Sequence, residues 1–432
     1  MEKPTLHSIT ANEPVSILKD FRTFTTFLNE NPVELTKGKE HIGRKYLYCI
    51  NEMMTEPQAG VTERSEQLMY PLLHLFFHLV LAGKLFQKVS AESNKITLLP
   101  TERYPQFLEL TPTEQYMFLL ETFWMDLDWS ELVERGFDYK QGVINHLLGV
   151  VKDAQVGQVI SANNVEQPLR SKISFSFPSE YPLYLSYFGF WQFIRDELSI
   201  KYSKREFRAK AIVLNRFGIE MARLLYKCRP LYLWNIPGRL DSGECQVAPG
   251  SPLPEEWGYK QGRTKKAQTG KRKAEPFHLP FVGLFPEGEL RRTLPRKLPE
   301  FIEGNYRFKV SLKKRIWRSV ELSAHHDLAD LHAVIQEAFE FDNDHLYCFF
   351  MDGKLWSRQR FACPLDDEGP YVTGVRIGDL GLEKGRKFLY LFDYGTSWLF
   401  QVELEGISTG PGLVEPQVVA EQGESPEQYP FY

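Results

Sequence analysis

Between Gly238 and about Glu300 the chain changes character, and that break constrains everything else. Gly, Pro and Ser recur in SGECQVAPGSPLPEEW, and the basic runs GRTKKAQTGKRK and RRTLPRK follow. A stretch this rich in turn formers and like charges has no apolar period from which to build a core element. It reads as a basic linker, 238–300. A first region, 1–237, precedes it; a further domain, 301–410, and an acidic tail, 411–432, follow. The apolar insert Phe277–Phe285 departs from the linker pattern and is expected to pack on a neighbouring domain.

Enough apolar side chain is present for real cores. Of 432 residues, 43% are hydrophobic and 14% aromatic, which excludes a disordered or fibrous chain. Lys and Arg total 52 against 56 Asp and Glu, a net charge of −4, so bulk charge points to neither nucleic acid nor membrane. The most apolar run, Leu72–Gly83, is too short to cross a bilayer and carries His74 and His78. The opening residues lack the apolar core of a signal peptide. Cys49, Cys228, Cys245, Cys348 and Cys363 are scattered, with no C-x-x-C pair. A cytoplasmic location without cysteine-built zinc is expected.

The first region is helical and aromatic-rich. Arg44–Met53 and Tyr116–Trp129 carry apolar residues at helical spacing, with Thr113 read as the N-cap of the second. Pro71–Gly83 is an apolar helix stopped by Gly83, and Lys84–Val89 and Lys95–Leu99 are short strands around Ser90–Asn94. This order resembles the last half of a winged helix, with a weaker echo at Ala211–Tyr226. A recognition helix reads base edges with Arg, Lys, Asn or Gln. Pro71–Gly83 has none and is apolar nearly all round, so burial or partner binding is its expected use.

Residues 305–405 read as an α+β domain with a mostly antiparallel sheet and one main helix. Tyr306, Phe308, Val310 and Leu312 alternate along a strand, and Ile316–Leu322 forms a second. Asp327 caps a helix whose Leu328, Leu331, Val334, Ile335, Ala338 and Phe339 make one stripe. Leu346–Met351 is a strand, and Asp352-Gly353 predicts a tight turn into Lys354–Trp356. Lys387–Phe392 and Trp398–Leu404 complete the set. The tail after Glu405 is expected to be mostly irregular, with Tyr429, Phe431 and Tyr432 able to dock back.

Three runs, YRFKVSLKKRIWRSVEL, DLADLHAVIQEAFEFDNDHLYCF and FLYLFDYGTSWLFQVELE, resemble the plasmid pRiA4b ORF-3-like family in order, over roughly Tyr306–Glu405. The helical N-terminal half resembles an extension of some longer members. The resemblance implies a compact α+β domain found on plasmids and mobile elements, without an established activity. Measured against the family pattern, Lys314 and Arg315 replace two prolines, and Ser319 replaces an arginine. The family's Asp-Phe-Gly-Asp-x-Trp becomes Asp393-Tyr394-Gly395-Thr396-Ser397-Trp398, losing the second carboxylate, and Phe400 replaces a histidine. These losses lower the expectation of catalysis.

Two groups of residues are candidates for function. Trp317, Arg318, His345, Asp393, Tyr394, Ser397 and Trp398 could line a polar-aromatic ligand site; the plainer reading is a hairpin with Asp393 bonded to amides and Trp398 in the core. Lys265, Lys266, Lys271, Arg272 and Lys273 could track phosphates, or simply keep a connector extended. His325, His326, Asp327, Asp330 and His332 carry metal-ligand types, but Asp327 and Asp330 also suit a helix N-terminus. His74 and His78 share a helical face without the Glu of a hydrolytic zinc motif. No metal or cofactor is expected. The leading expectation is a non-catalytic interaction or nucleic-acid-associated accessory protein, partnered by nucleic acid through the basic linker or by another protein, and not by membrane. The alternative is an enzyme using Asp393, His345 and Arg318.

Overall fold

The computed structural model describes residues 6–90, 95–132, 140–161, 180–196, 207, 209–241, 244, 247–252, 275–296, 301–357, 359–367 and 369–429. The candidate residues Lys265, Lys266, Lys271, Arg272 and Lys273 lie outside them, as do Phe431 and Tyr432. The chain is α+β and divides into two units: Met1–Gly238 with Ala248–Leu294, and Arg239–Val247 with Pro295–Tyr432.

In the first unit α1 (Ile17–Glu30) buries Ile17, Leu18, Phe21, Phe24 and Leu28, the stripe that a 3.6-residue period places on one face. After it come β1 (Val33–Glu34), α2 (Arg44–Glu52), α3 (Pro71–Ala82), β2 (Phe86–Ser90) and β3 (Ile96–Pro100). The three strands form an antiparallel sheet in the order β1-β3-β2. Pro71 stands at the start of α3, where its missing N–H costs nothing. Leu73, His74, Leu75, Phe76, Phe77, Leu79 and Val80 are buried, so the helix has no free polar face. Gly83 follows it, but not as a left-handed cap: its φ is −73°, and Lys84 takes the positive φ of 53°. Gly83 is needed for closeness instead, because a Cβ there would sit 3.0 Å from both Leu79 O and the Phe118 ring.

Past α4 (Arg103–Leu108), α5 (Pro112–Glu121) corrects the expected cap. Thr111, not Thr113, is the N-cap; its Oγ1 accepts from Glu114 N at 3.1 Å, and Glu114 Oε2 accepts from Thr111 N at 3.1 Å. Pro112 occupies the first helical position, which leaves the residue before it to cap. Thr113 Oγ1 donates to Glu289 Oε2 at 2.7 Å instead. The helix continues as a wider π turn, Thr122–Asp126.

A related order follows: α6 (Lys140–Val151), β4 (Val159–Ser161), α7 (Glu180–Tyr187), β5 (Trp191–Arg195), β6 (Ala209–Leu214) and α8 (Arg216–Cys228). Its sheet runs β4-β6-β5, again with the third strand central. Asn215 caps α8 by accepting from Gly218 N at 2.7 Å.

Part of the expected linker belongs to this unit's core. Phe277, Phe281, Phe285, Leu290 and Leu294 are buried with the aromatic residues of the first region. Arg229 binds the segment through Phe277 O at 3.0 Å and Pro276 O at 2.8 Å. Glu289 meets Thr111 and Thr113, and Thr293 Oγ1 donates to Glu121 Oε2 at 2.7 Å. Residues 275–294 are therefore a strap stitched to α5, not a free connector.

In the second unit β7 (Asn305–Lys313), β8 (Ile316–Ser323), α9 (Leu328–Phe339), β9 (Tyr347–Phe350), β10 (Arg360–Ala362), β11 (Lys387–Phe392), β12 (Trp398–Ser408) and β13 (Gln417–Gln422) follow in order. The seven strands form an antiparallel sheet, β10-β9-β11-β12-β7-β8-β13. Asp327 caps α9 with a full capping box to Asp330, and α9 lays Leu328, Leu331, Val334, Ile335 and Phe339 into the core.

One local expectation differs. Lys354–Trp356 is not the return strand: Trp356 has φ 60°, Asp352 Oδ1 accepts from Lys354 N and Ser357 Oγ, and backbone pairing resumes only at Gln359, whose O accepts from Met351 N, leading into β10. The tail after Glu405 is mostly irregular, as expected; past the end of β12 the exception is β13, which pairs with β8 at the sheet edge. Its residues are all exposed, so backbone hydrogen bonding, which composition does not display, places it there.

Candidate functional site at the end of the antiparallel sheet

β11 ends in a turn held by its own polar groups. Asp393 has φ 54° and Ser397 φ 59°, both left-handed. Asp393 Oδ1 accepts from Gly395 N at 2.9 Å, and Ser397 N donates to Asp393 O at 2.6 Å. Burial alone would raise the Asp393 carboxyl; hydrogen bonds from Thr396 and Gly395, with His345 nearby, outweigh it and hold the group below its ordinary range. Non-glycine residues in this backbone region carry strain, which persists only where surrounding contacts over-determine it.

His345 lies beside the turn, its Nε2 3.9 Å from Asp393 Oδ2 and 3.6 Å from Asp344 Oδ1. Tyr429, from the tail, donates to Asp344 Oδ2 at 2.5 Å and stands 3.3 Å from His345 Nε2. The hydrogen bond to Asp344, more than burial, pushes the Tyr429 phenol up to about 12. Gln428 anchors the same tail by accepting from Asp342 N at 2.6 Å and donating to Asp342 O at 3.1 Å. Two carboxylates, an imidazole and a phenol thus converge, a set able to hold a proton or a cationic group.

The seven candidates do not form one site. Tyr394 projects to the sheet's other face, packing with Cys348, Phe350, Ala362 and Leu391. Its hydroxyl donates to Asp366 Oδ2 at 2.8 Å, and the exposed Trp356 meets its ring at 5.4 Å. Trp398 is half-buried against Phe341, and its Nε1 has no hydrogen-bond partner among the described residues.

Trp317 and Arg318 stand on β8, three strand positions from β11, a spacing of roughly 14 Å at about 4.8 Å per strand. Arg318 is 3% exposed and fully engaged: Nε donates to Ala338 O, Nη1 to Trp317 O, Gln422 O and Gly423 O, and Nη2 to Ser425 Oγ. Trp317 Nε1 donates to Gln422 Oε1 at 2.6 Å. Both serve the tail. An active site combining Asp393, His345 and Arg318 is not assembled.

Of the other candidate histidines, His78 has a buried Nε2 without a hydrogen-bond partner among the described residues, and the rest have plain partners. His325 meets Glu303 at 3.1 Å, and His326 Nδ1 accepts from Ser323 N. His74 Nδ1 accepts from Gln67 Nε2 and its Nε2 donates to Glu131 O, while burial pushes it down to about 3. Among the described residues no group of three or more His, Cys, Asp or Glu is placed to hold a metal ion. Sequence reasoning passed over Asp344, although it precedes His345 directly. It also passed over Gln428, which shows no local pattern at all.

The second unit is thus an α+β domain: an antiparallel sheet backed by one helix, with a polar-aromatic cluster at a strand end. Residues 305–428 match the family model described as plasmid pRiA4b ORF-3-like protein, so the resemblance holds and extends into the tail. A solved structure, a protein of unknown function from Methanosarcina mazei Go1, is 24% identical, covering 29% of this chain and 74% of its own, with a TM-score of 0.25. No curated protein matches the chain. Among the described residues no helix is long and apolar enough to cross a membrane.

Proposed function

We propose that the protein works by binding rather than by catalysis, as a cytoplasmic accessory protein linked to plasmids or mobile elements. The observation that carries this is the burial of α3. The order helix, strand, helix, helix, strand, strand, with the third strand central, supports a winged-helix reading of residues 17–100, and 140–214 echo it. In that architecture α3 is the helix that would enter a major groove. Here its side chains pack inward, and the wing lysines Lys88 and Lys95 are paired with Glu40 and Glu34. The first unit therefore serves as an interaction scaffold, and nucleic-acid contact rests on Lys265, Lys266, Lys271, Arg272 and Lys273.

Fluorescence anisotropy with mixed-sequence duplex and single-stranded DNA, at low and near-physiological salt, tests this. Binding should be indifferent to sequence, fall steeply with salt, and weaken equally for every sequence when the five residues become Gln. Sequence-dependent binding that survives physiological salt would overturn the reading.

A further inference from the structure

Strand β13 buries none of its own side chains in the place it occupies. All six of its residues are exposed, and in residues 409–429 only Gln428 is buried. The β8 residues beneath it are the opposite: Arg318, Ser319, Val320 and Glu321 are each at most 9% exposed. The attachment is backbone pairing, Gln417 opposite Glu321 through Gln422 opposite Trp317, with a bulge between Val418 and Ala420. Segments held by exposed backbone hydrogen bonds with few buried apolar contacts open at lower free energy than the core.

What attaches to β8 is read chemically by Arg318. Its guanidinium donates to two successive carbonyls, Gln422 O and Gly423 O, at 3.2 and 3.1 Å. It also donates to Ser425 Oγ at 2.8 Å and lies 3.6 Å from the Glu421 carboxylate. Trp317 Nε1 adds a donor to the Gln422 side chain. The site thus recognises an extended strand with an acid and, four residues later, a hydroxyl.

We propose that β13 is a built-in placeholder, and that the β8 edge is a docking site for an extended, acidic segment of a partner protein carrying that spacing. The segment would add to the sheet as a seventh strand, with backbone pairing supplying affinity and Arg318 supplying selection. The tail is the template for this occupant and also its intramolecular competitor, at an effective concentration on the order of millimolar for a short connection. The inference rests on reading the chain as a binding protein, but its test uses a peptide, so its failure is separable from the DNA result.

The probe is a fluorescein-labelled peptide with the sequence of residues 415–429, EPQVVAEQGESPEQY. It is titrated into the full chain and into a full-length Glu421→Ala/Ser425→Ala/Gln428→Ala variant, whose tail has lost its grip on Arg318 and Asp342. The variant should bind the peptide at least ~10-fold more tightly, as expected when a tethered competitor is weakened. A peptide altered at Glu421→Lys and Ser425→Ala should lose that gain. Equal binding by both proteins, or equal binding of both peptides, would overturn the proposal. A variant that dimerises by exchanging tails would also overturn it, by making a second copy the occupant. If the variant fails to fold, hydrogen exchange on the unaltered chain decides: β13 amides should exchange well before those of β7 and β12, and equally slow exchange would refute a releasable strand.

Discussion

The imidazole of His332 lies flat on the ring of Tyr347, centroids 3.5 Å apart and planes within 3°. His332 sits inside a buried polar chain. Gln336 Nε2 donates to Tyr390 Oη at 2.8 Å, Tyr390 donates to His332 Nδ1 at 2.7 Å, and His332 Nε2 donates to Asn343 Oδ1 at 2.8 Å. This order of donors requires the neutral, Nε2-protonated ring. Burial pushes His332 down to about 4, with the Asn343 bond opposing only in part.

A pH dependence follows with a definite sign. An unfolded histidine binds its proton near 6.5, whereas His332 and His74 bind theirs near 4 and 3 in the folded chain. The unfolded state therefore takes up more protons as pH falls, and both contributions are complete above pH 6.5. Each residue should remove up to ~1.4 kcal/mol per pH unit below that, His332 until about pH 4 and His74 until about pH 3. Urea denaturation at pH 7 and pH 5 should show the loss, and His332→Gln should reduce the slope of the second unit.

Two glycine substitutions should act in opposite directions. A Cβ on Gly218 would lie 1.5 Å from Phe190 O, where the first turn of α8 presses on backbone. Gly218→Ala should cost more than ~4 kcal/mol or prevent folding, since backbone cannot move aside as a side chain can. Gly142, in α6, has nothing within 4 Å of its Cβ position. Gly142→Ala should stabilise by roughly 0.5–1 kcal/mol, readable as a raised thermal midpoint.

Asp327 performs two tasks with one carboxylate. Oδ1 accepts from Ala329 N and Asp330 N, while Oδ2 accepts from Gly374 N at 2.8 Å. Asp327→Ala should destabilise the second unit by about 1–2 kcal/mol, and Asp327→Ser should recover only the cap. Equal stability of Asp327→Ser and the unaltered chain in chemical denaturation would show that the Gly374 contact contributes nothing.

Arg229 should govern protease access to residues 275–294. Its side chain is 3% exposed, stacked 4.2 Å from Trp234, and donates to Cys228 O, Pro276 O and Phe277 O. Arg229→Ala leaves three carbonyls short of a donor, at a cost of at least ~2 kcal/mol. Limited trypsin digestion should then cut at Arg291 and Arg292 at doses that spare the unaltered chain.

Where a side chain's period matches its burial, the fold was legible. Tyr306, Phe308 and Val310 alternate into the core, the α9 stripe is buried as spaced, and Asp327 caps where a carboxylate precedes an apolar run. The α3 helix was legible too, because an apolar surface on every side has only the interior to enter. What escaped was decided by distant backbone. QVVAEQ becomes a strand through β8, and Arg318 serves carbonyls 20 and 104 residues away. The candidate site was half legible for the same reason. His345 and Asp393 do meet, but strand order, invisible in one sequence, separates them from Trp317 and Arg318.

The strap from 275 to 294 also sets a timetable. The first unit needs Phe277, Phe281 and Phe285 in its core and Glu289 on its α5 cap, yet these emerge after the basic stretch has been made. At roughly 5–20 residues per second, the ribosome reaches Leu294 about 3–11 s after Gly238. Until then the nascent unit carries an open apolar seam beside a freshly made run of lysines. The chain's earliest exposure to chaperones, and to any polyanion nearby, thus falls before its own first unit is closed.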